Sequence, residues 1–91
     1  MSRPIEKQLS KLLVDSEFSF MERGIRELNE IYDIVKKLYG NLCDDDYKCI
    51  HNELNYGQPE WKHVVRFALE RVKSKTDSVT HSGNRGYWNF L

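Results

Sequence analysis

PEWKHVVRFALERVKSK, residues 59–75, is the longest segment of this chain with a regular helical pattern. Its proline suits the first turn of a helix, where the missing N–H would have no partner, and the helix dipole favours the glutamate that follows. Apolar side chains then recur at the spacing of one helix face: Trp61, Val64, Val65, Ala68, Leu69 and Val72. We therefore predict a helix over residues 59–75 that buries this face, with Trp61 as a core anchor.

The opposite face of the predicted helix is polar and mostly basic. It carries Lys62, His63, Arg66, Glu70 and Lys73. Basic side chains that project from one face of a helix can reach base edges in a DNA groove, and the bidentate arginine–guanine contact is the commonest specific one. A solvated face whose charges pair along the helix, as Arg66 and Glu70 would at i,i+4, explains the same pattern. The pattern alone leaves both interpretations open.

Two short β-prone runs, residues 77–81 and 86–91, follow this helix. The turn between them, Ser82-Gly83-Asn84-Arg85, contains a Gly-Asn pair, and this arrangement is typical of a β-hairpin. In the second run, Trp88 and Phe90 share one strand face because side chains alternate along a strand. We predict that this face packs on the helices.

Three helical segments and one extended segment are predicted upstream of residue 59. A first helix covers residues 4–15. Residues 17–21 alternate weakly and could form a short strand or an extended connector. An amphipathic helix follows within residues 27–40, and its predicted buried stripe is Leu28, Ile31, Tyr32, Val35 and Leu38. A short helical stretch over residues 43–54 opens with three aspartates, which a helix dipole favours.

Charge is balanced over the whole chain but unevenly distributed. The 91 residues hold fourteen Lys and Arg against fourteen Asp and Glu, which excludes a polycation that binds nucleic acid through bulk charge. Residues 58–91 carry six basic and three acidic side chains, a net charge of +3, and residues 1–57 carry the compensating −3. A basic face on a neutral domain is typical of a surface that meets phosphate. Chance asymmetry in a short chain is the alternative.

Three side chains of this basic part are candidate contacts outside the helix face. Lys75 ends the predicted helix, and Asn84 and Arg85 lie at the predicted turn. These side chains are suited to contact a phosphate backbone or, at the turn, a minor groove. An ordinary exposed turn explains Asn84 and Arg85 equally well.

Length and composition favour one small domain, residues 1–91, and argue against a membrane protein or a metalloprotein. The chain is 40% apolar and 12% aromatic, which is typical of a folded domain. No apolar run approaches the length of a membrane span, about 18 residues. Cys43 and Cys49 lack the paired ligands of a zinc site, and the aspartates at 44–46 lack the spacing of a calcium loop. We therefore predict no metal, no cofactor, two reduced thiols and a cytoplasmic location.

A set of residues in the C-terminal two thirds of the chain follows a family pattern. Its first part is Gly57, Pro59, Trp61, Val65, Phe67 and Ala68, and its second part is Arg85, Gly86, Tyr87, Trp88 and Phe90. In order and spacing, residues 26–91 resemble the winged-helix domain of Mrr-type restriction endonucleases. The chain lacks the glycine that the family usually has in the turn after the third helix, although Val79 would keep the buried apolar position there.

The resemblance implies a winged helix-turn-helix fold, mainly α with a small β-hairpin, in which a three-helix core is closed by a C-terminal wing. It also implies binding of double-stranded DNA as the target-recognition module of a prokaryotic restriction endonuclease, including enzymes that act on methylated DNA. Base contacts would come from Lys62, His63 and Arg66 on the helix face. Phosphate or groove contacts would come from Lys73, Lys75, Asn84 and Arg85.

No nuclease core is visible in the sequence. A PD-(D/E)xK site needs a carboxylate and an acidic-x-Lys strand that together hold Mg²⁺, and no predicted strand carries this pattern. No arrangement of His with Ser or Cys indicates a nucleophile. We therefore predict that this chain is not itself an enzyme, and that it is a fragment of a longer protein in which a nuclease domain is fused to it.

The alternative function is that of a protein-interaction winged helix that binds no nucleic acid. In that case Tyr56, Trp61 or Phe67 would dock a partner. Salt dependence separates the two functions, because binding through several phosphates weakens steeply as salt rises, whereas an apolar docking surface barely responds.

Overall fold

Three α-helices and three β-strands make up the described part of the chain, residues 3–48 and 58–91 of a computed structural model. In chain order the elements are α1 (Pro4–Ser16), β1 (Gly24–Glu27), α2 (Leu28–Leu38), a 3₁₀ helix (Gly40–Leu42), α3 (Glu60–Lys75), β2 (Val79–His81) and β3 (Tyr87–Phe90). The strands form one antiparallel sheet in the order β1-β3-β2, with the last strand at its centre. This small α/β domain has three of the four predicted helices and the C-terminal hairpin, and it adds a third strand.

α3 is the helix that its sequence pattern predicts. All six side chains of the predicted apolar face are buried, and Val65, Ala68 and Leu69 are fully inaccessible. They belong to one core cluster with Leu9 of α1 and Ile31 of α2. Burial of apolar side chains of this size contributes roughly 1.5–3 kcal/mol each. The face therefore supplies a large share of the driving force for folding.

The predicted hairpin is confirmed, with shorter strands. β2 and β3 pair antiparallel with Thr80 opposite Asn89. Trp88 and Phe90 are both buried, as their shared strand face predicts, and Val79 is fully buried at the start of β2. The hairpin is therefore part of the core and not a free-standing projection.

The possible strand at residues 17–21 is wrong. Glu17 ends α1 in the left-handed region with a φ of 53°, and Phe18 follows with a φ of 57°. This backbone turns the chain and forms no ladder of strand hydrogen bonds. The weak alternation of the sequence arises because Phe18 and Met21 enter the core from this turn.

β1 lies further along, at Gly24–Glu27, and it pairs with β3 so that Arg26 is opposite Trp88. Gly24 has a φ of +114°, which side-chain-bearing residues rarely adopt, and this turns the chain into the strand. With one β-branched residue in four, the segment has little strand propensity of its own. The strand forms because β3 offers it an open edge.

α2 buries the predicted stripe except at its end. Ile31, Tyr32 and Val35 are buried, and Leu28 is half-buried. Leu38, by contrast, is 52% exposed. The helix ends at this residue, so no further turn of α2 continues the stripe over the core.

The predicted helix over residues 43–54 is wrong in its described part, which ends at Lys48. Asp44 Oδ1 accepts a hydrogen bond from the backbone N–H of Asp46 at 2.9 Å, a local turn that competes with helix formation. The other carboxylate oxygen of Asp44 binds Arg3 at 3.0 Å. The rest of the predicted helix lies outside the described residues.

α1 and α3 begin side by side at Tyr47. The guanidinium of Arg3, at the start of α1, lies 3.7 Å from the centre of the Tyr47 ring. The carbonyl of Tyr47 accepts a hydrogen bond from the backbone N–H of Glu60, at the start of α3, at 2.8 Å. At their other ends, Asp15 and Lys75 line one depression. The two helices therefore run in the same direction with a groove between them.

Two leucine substitutions test this division of core and surface. Leu69→Ala should lower the free energy of unfolding by about 2–5 kcal/mol, because it leaves a cavity in a fully buried site. Leu38→Ala, at a position that is 52% exposed, should cost less than about 1 kcal/mol. Urea unfolding of both variants measures the difference. Equal losses would mean that the end of α2 belongs to the core.

Candidate nucleic-acid interface

Lys62 and Arg66 project from the side of α3 that faces α2. Lys62 Nζ lies 5.3 Å from the centre of the Tyr32 ring, a distance typical of a cation–π contact. Arg66 lies near the same tyrosine: burial raises the pKa of the Tyr32 phenol, and the Arg66 cation lowers it in part. Both basic side chains are half-buried. Their apolar stems therefore pack towards α2 while part of each side chain remains accessible.

Further along the same side of α3, Glu70 connects the helix to the hairpin. Its Oε1 lies 3.1 Å from His81 Nε2, and its Oε2 lies 3.6 Å from Lys73 Nζ. The His81 ring stacks on Trp88 with the ring centres 4.2 Å apart. Four polar side chains along this side of α3 form a continuous stripe, which we name the α3 ridge: Lys62, Arg66, Glu70 and Lys73.

The turn of the hairpin, residues 82–86, lies beside the start of α2. The carbonyl of Gly86 accepts a hydrogen bond from the backbone N–H of Leu28 at 2.8 Å. Gly86 adopts a φ of +82°, which glycine tolerates without strain. Asn84 and Arg85 are exposed on this turn. The turn directly follows His81, so it is adjacent to both the α3 ridge and the first turn of α2.

His63 and Lys75 lie on the other side of α3, in the groove with α1. The prediction that His63 shares the exposed face with Lys62 is wrong, because His63 is 8% exposed. Its ring stacks against Phe67 at 4.6 Å, and its Nδ1 is 3.6 Å from Glu60 Oε1. The sequence pattern could not reveal this because α1 borders that side of α3. The predicted site is therefore divided between two sides of one helix.

The aromatic residues of the alternative function are also separated. Trp61 is 3% exposed and belongs to the core, so it cannot dock a partner. Phe67 is 59% exposed on the groove side of α3. Tyr56 lies outside the described residues.

Asp45 links α2 to α3 beside Lys62. Its Oδ1 accepts a hydrogen bond from Trp61 Nε1 at 2.8 Å, and its Oδ2 accepts one from Lys36 Nζ at 2.6 Å. The bonds from Lys36 and then Trp61 hold the pKa of the Asp45 carboxyl below its usual range. Trp61 is thereby fixed next to Lys62, whose Nζ lies 5.8 Å from its ring centre. Sequence reasoning missed this link because its members are far apart along the chain.

The remaining chemistry of the described residues is limited. Cys43 is a free thiol, 4% exposed, and burial raises its pKa to about 11, so it is not poised to act as a nucleophile. Cys49 lies outside the described residues. Within residues 3–48 and 58–91, no group of three or more His, Cys, Asp and Glu is arranged to hold a metal ion. In the same ranges, no helix has the length and apolar character needed to cross a membrane.

Asp45→Asn should lower the free energy of unfolding near neutral pH. The variant should also lose less of that free energy than the parent protein when the pH is lowered. Because the folded-state pKa lies below the ordinary value of 3.8, the stabilisation is fully present above that value and is lost as pH falls through the lower one. The midpoint of urea unfolding, followed by circular dichroism, should therefore change less between about pH 6 and about pH 3 than in the parent protein.

Asp44, whose pKa is also lowered, mainly by Arg3, keeps part of the acid sensitivity in that variant. The exposed Asp77 provides the matched control, and Asp77→Asn should leave stability at neutral pH unchanged. An Asp45→Asn protein with the acid response of the parent would show that the link to Lys36 and Trp61 contributes nothing.

Comparison with known proteins gives no assignment. No protein-family model, no curated protein and no solved structure matches the chain. A functional proposal therefore depends on the elements and contacts of the chain itself.

Proposed function

We propose that this chain is a winged helix-turn-helix domain that binds double-stranded DNA, with α3 as its recognition helix and the β2–β3 hairpin as its wing. The order helix, strand, helix, helix, hairpin supports this proposal, as does the pairing of β1 with the outer edge of the hairpin. In helix-turn-helix proteins the second helix of the motif lies in the major groove and reads base edges.

One observation carries the proposal: the turn of the hairpin and the α3 ridge adjoin the same face of the first half of α2. Leu28, which is bonded to Gly86, and Tyr32, which contacts Lys62, are four residues apart in α2. They therefore lie on one face of that helix, about 6 Å apart. A duplex that receives α3 in its major groove would thus have the hairpin turn within reach of its flanking backbone.

The residues divide into two roles. A major groove is about 12 Å wide and admits one helix, and the side chains on the first half of the exposed ridge are placed to reach the bases. Lys62 and Arg66 take this role. Contact with phosphates falls to Lys73 at the end of the ridge and to Asn84 and Arg85 on the hairpin turn, because backbone contacts need charge and reach but no fixed geometry.

Glu70 serves the interface by positioning its neighbours. A carboxylate in the middle of a DNA-binding helix would repel phosphate if it faced the duplex alone. Here its two oxygens lie next to Lys73 and His81. The Lys73 ammonium partly offsets the negative charge, and the contact with His81 holds the end of β2 against α3.

The resemblance to Mrr-type domains extends the proposal to the larger protein. We infer that the chain supplies target recognition to a restriction endonuclease in the cytoplasm of a prokaryote and that a fused nuclease domain supplies the cleavage. His63 and Lys75 are not part of the proposed DNA interface, because both line the groove on the α1 side of α3.

Arg66→Ala tests base reading. It should cost about 1–3 kcal/mol of binding free energy on a preferred duplex and relax the preference at one base pair. Arg66→Lys keeps the cation near Tyr32 but loses the bidentate geometry, so it should lose most of the same preference while melting like the parent protein. Fluorescence anisotropy with unmethylated, adenine-methylated and cytosine-methylated duplexes measures both. A uniform loss on all sequences would remove Arg66 from the reading role.

Arg85→Ala tests phosphate contact. The loss should be about equal for all duplexes, and the slope of log affinity against log salt should fall by about one contact. Lys37→Ala, an exposed lysine of α2, is the control and should change neither quantity. If no duplex of any sequence or methylation state binds the parent protein at low salt, the proposed function is wrong.

A further inference from the structure

The groove between α1 and α3 has the dimensions and lining of a binding site. It has a volume of about 550 Å³, and α1 and α3 form its two walls. Val64 is buried at its base, and Val14 is half-buried. Phe67 stands in the wall with 59% of its surface exposed, and one side of its ring stacks against His63. We name this cleft the α1–α3 groove.

Exposed cations line both walls of the groove. Lys7 and Lys11 are one turn apart on α1, and Arg71 and Lys75 are one turn apart on α3. The ion pairs found among the described residues involve none of these four side chains. Each wall therefore presents a row of two positive charges to the solvent.

The acidic residues of the groove do not neutralise these rows. Glu6 is 1% exposed, and Arg3 binds it at 2.8 Å. Glu60 is buried and lies beside His63. Asp15, near the end of α1, is exposed. Of the charged side chains that line the groove, four cations and one carboxylate thus face the solvent.

We propose that the α1–α3 groove binds an acidic amphipathic helix of a partner protein. Such a helix has an apolar stripe with acidic residues on both flanks, which matches an apolar base between two cationic rows. Residues four apart in a helix are separated by about 6 Å along its axis. Glutamates at this spacing can therefore face Lys7 and Lys11 on one wall and Arg71 and Lys75 on the other.

The shape of the groove favours a helix over a nucleic-acid strand. A single strand carries its charge along one backbone and its bases on the other side, so it would leave one cationic row without a counterpart. The four cations instead stand on both walls of the groove, two on α1 and two on α3. An apolar side chain of the partner would pack on the open face of Phe67, which acts as the anchor of the contact.

This binding site is independent of the proposed DNA interface. The α3 ridge lies on the side of α3 towards α2 and the hairpin, whereas the groove lies on the side towards α1. The two sites share no residue, so a substitution in one leaves the side chains of the other in place.

A pair of synthetic peptides tests the proposal. The probe is a fluorescein-labelled helical peptide of about 18 residues, five turns, with a Leu/Phe stripe flanked by glutamates, and its counterpart has lysine in place of every glutamate. The acidic peptide should bind the full chain at least about tenfold more tightly than the basic one. Backbone amide shifts in NMR spectra should change along α1 and the groove side of α3.

Matched variants localise the binding. Lys11→Glu combined with Arg71→Glu should lower the affinity for the acidic peptide at least about tenfold, and Phe67→Ala should lower this affinity several-fold. Lys37→Glu, the same charge reversal on α2, should stay within about twofold of the parent protein. All of these positions are exposed, so thermal melts should be nearly unchanged.

Three results would overturn the proposal. The first is equal binding of the acidic and basic peptides. The second is a set of amide shifts centred on the α3 ridge. The third is a labelled single-stranded oligonucleotide that binds more tightly than the acidic peptide and loses affinity in the Lys11 and Arg71 double variant, which would make the groove a nucleic-acid site.

Discussion

Burial of the apolar face of α3 is the interaction on which the rest of this structure depends. Val65 and Leu69 are fully inaccessible and belong to the same cluster as residues from α1, α2 and the hairpin. Once that face is fixed, successive residues are rotated by 100° around the helix. Lys62 and Arg66 then lie towards α2, whereas Phe67 lies towards α1 and stacks against His63. Two separate polar surfaces thus follow from one buried stripe.

The sequence predicted those elements whose pattern is local and strong. α3 and the aromatic face of β3 are examples, because helical spacing in one and alternation in the other are visible within a few residues. Several of the errors involve contacts between distant segments. β1 depends on an edge provided by β3, His63 is buried beside α1, and Asp44 forms a turn and binds Arg3. Of the seven predicted contact residues, the pattern could not tell which face α2 and which face α1.

The net charge of the chain does not show how its charged side chains are distributed over the structure. The chain is neutral overall, but Arg3 and Lys36 are bound by the aspartates of the 44–45 segment. These pairs connect the segment to α1 and α2, so they serve the architecture. The cations of the α3 ridge and of the α1–α3 groove instead stand at the surface of two helices. A neutral composition is therefore compatible with two separate basic surfaces.

The position of β3 at the centre of the sheet has a consequence for synthesis of the chain. Gly24 pairs with Phe90, so β1 has no pairing partner until almost the whole domain has been synthesised. Until then β1 is an unpaired edge, and the hydrophobic surface under the hairpin is uncovered. On the ribosome, this domain can complete its fold only after β3 has left the exit tunnel, and the pairing of its first strand with its last raises the contact order, which favours slow folding.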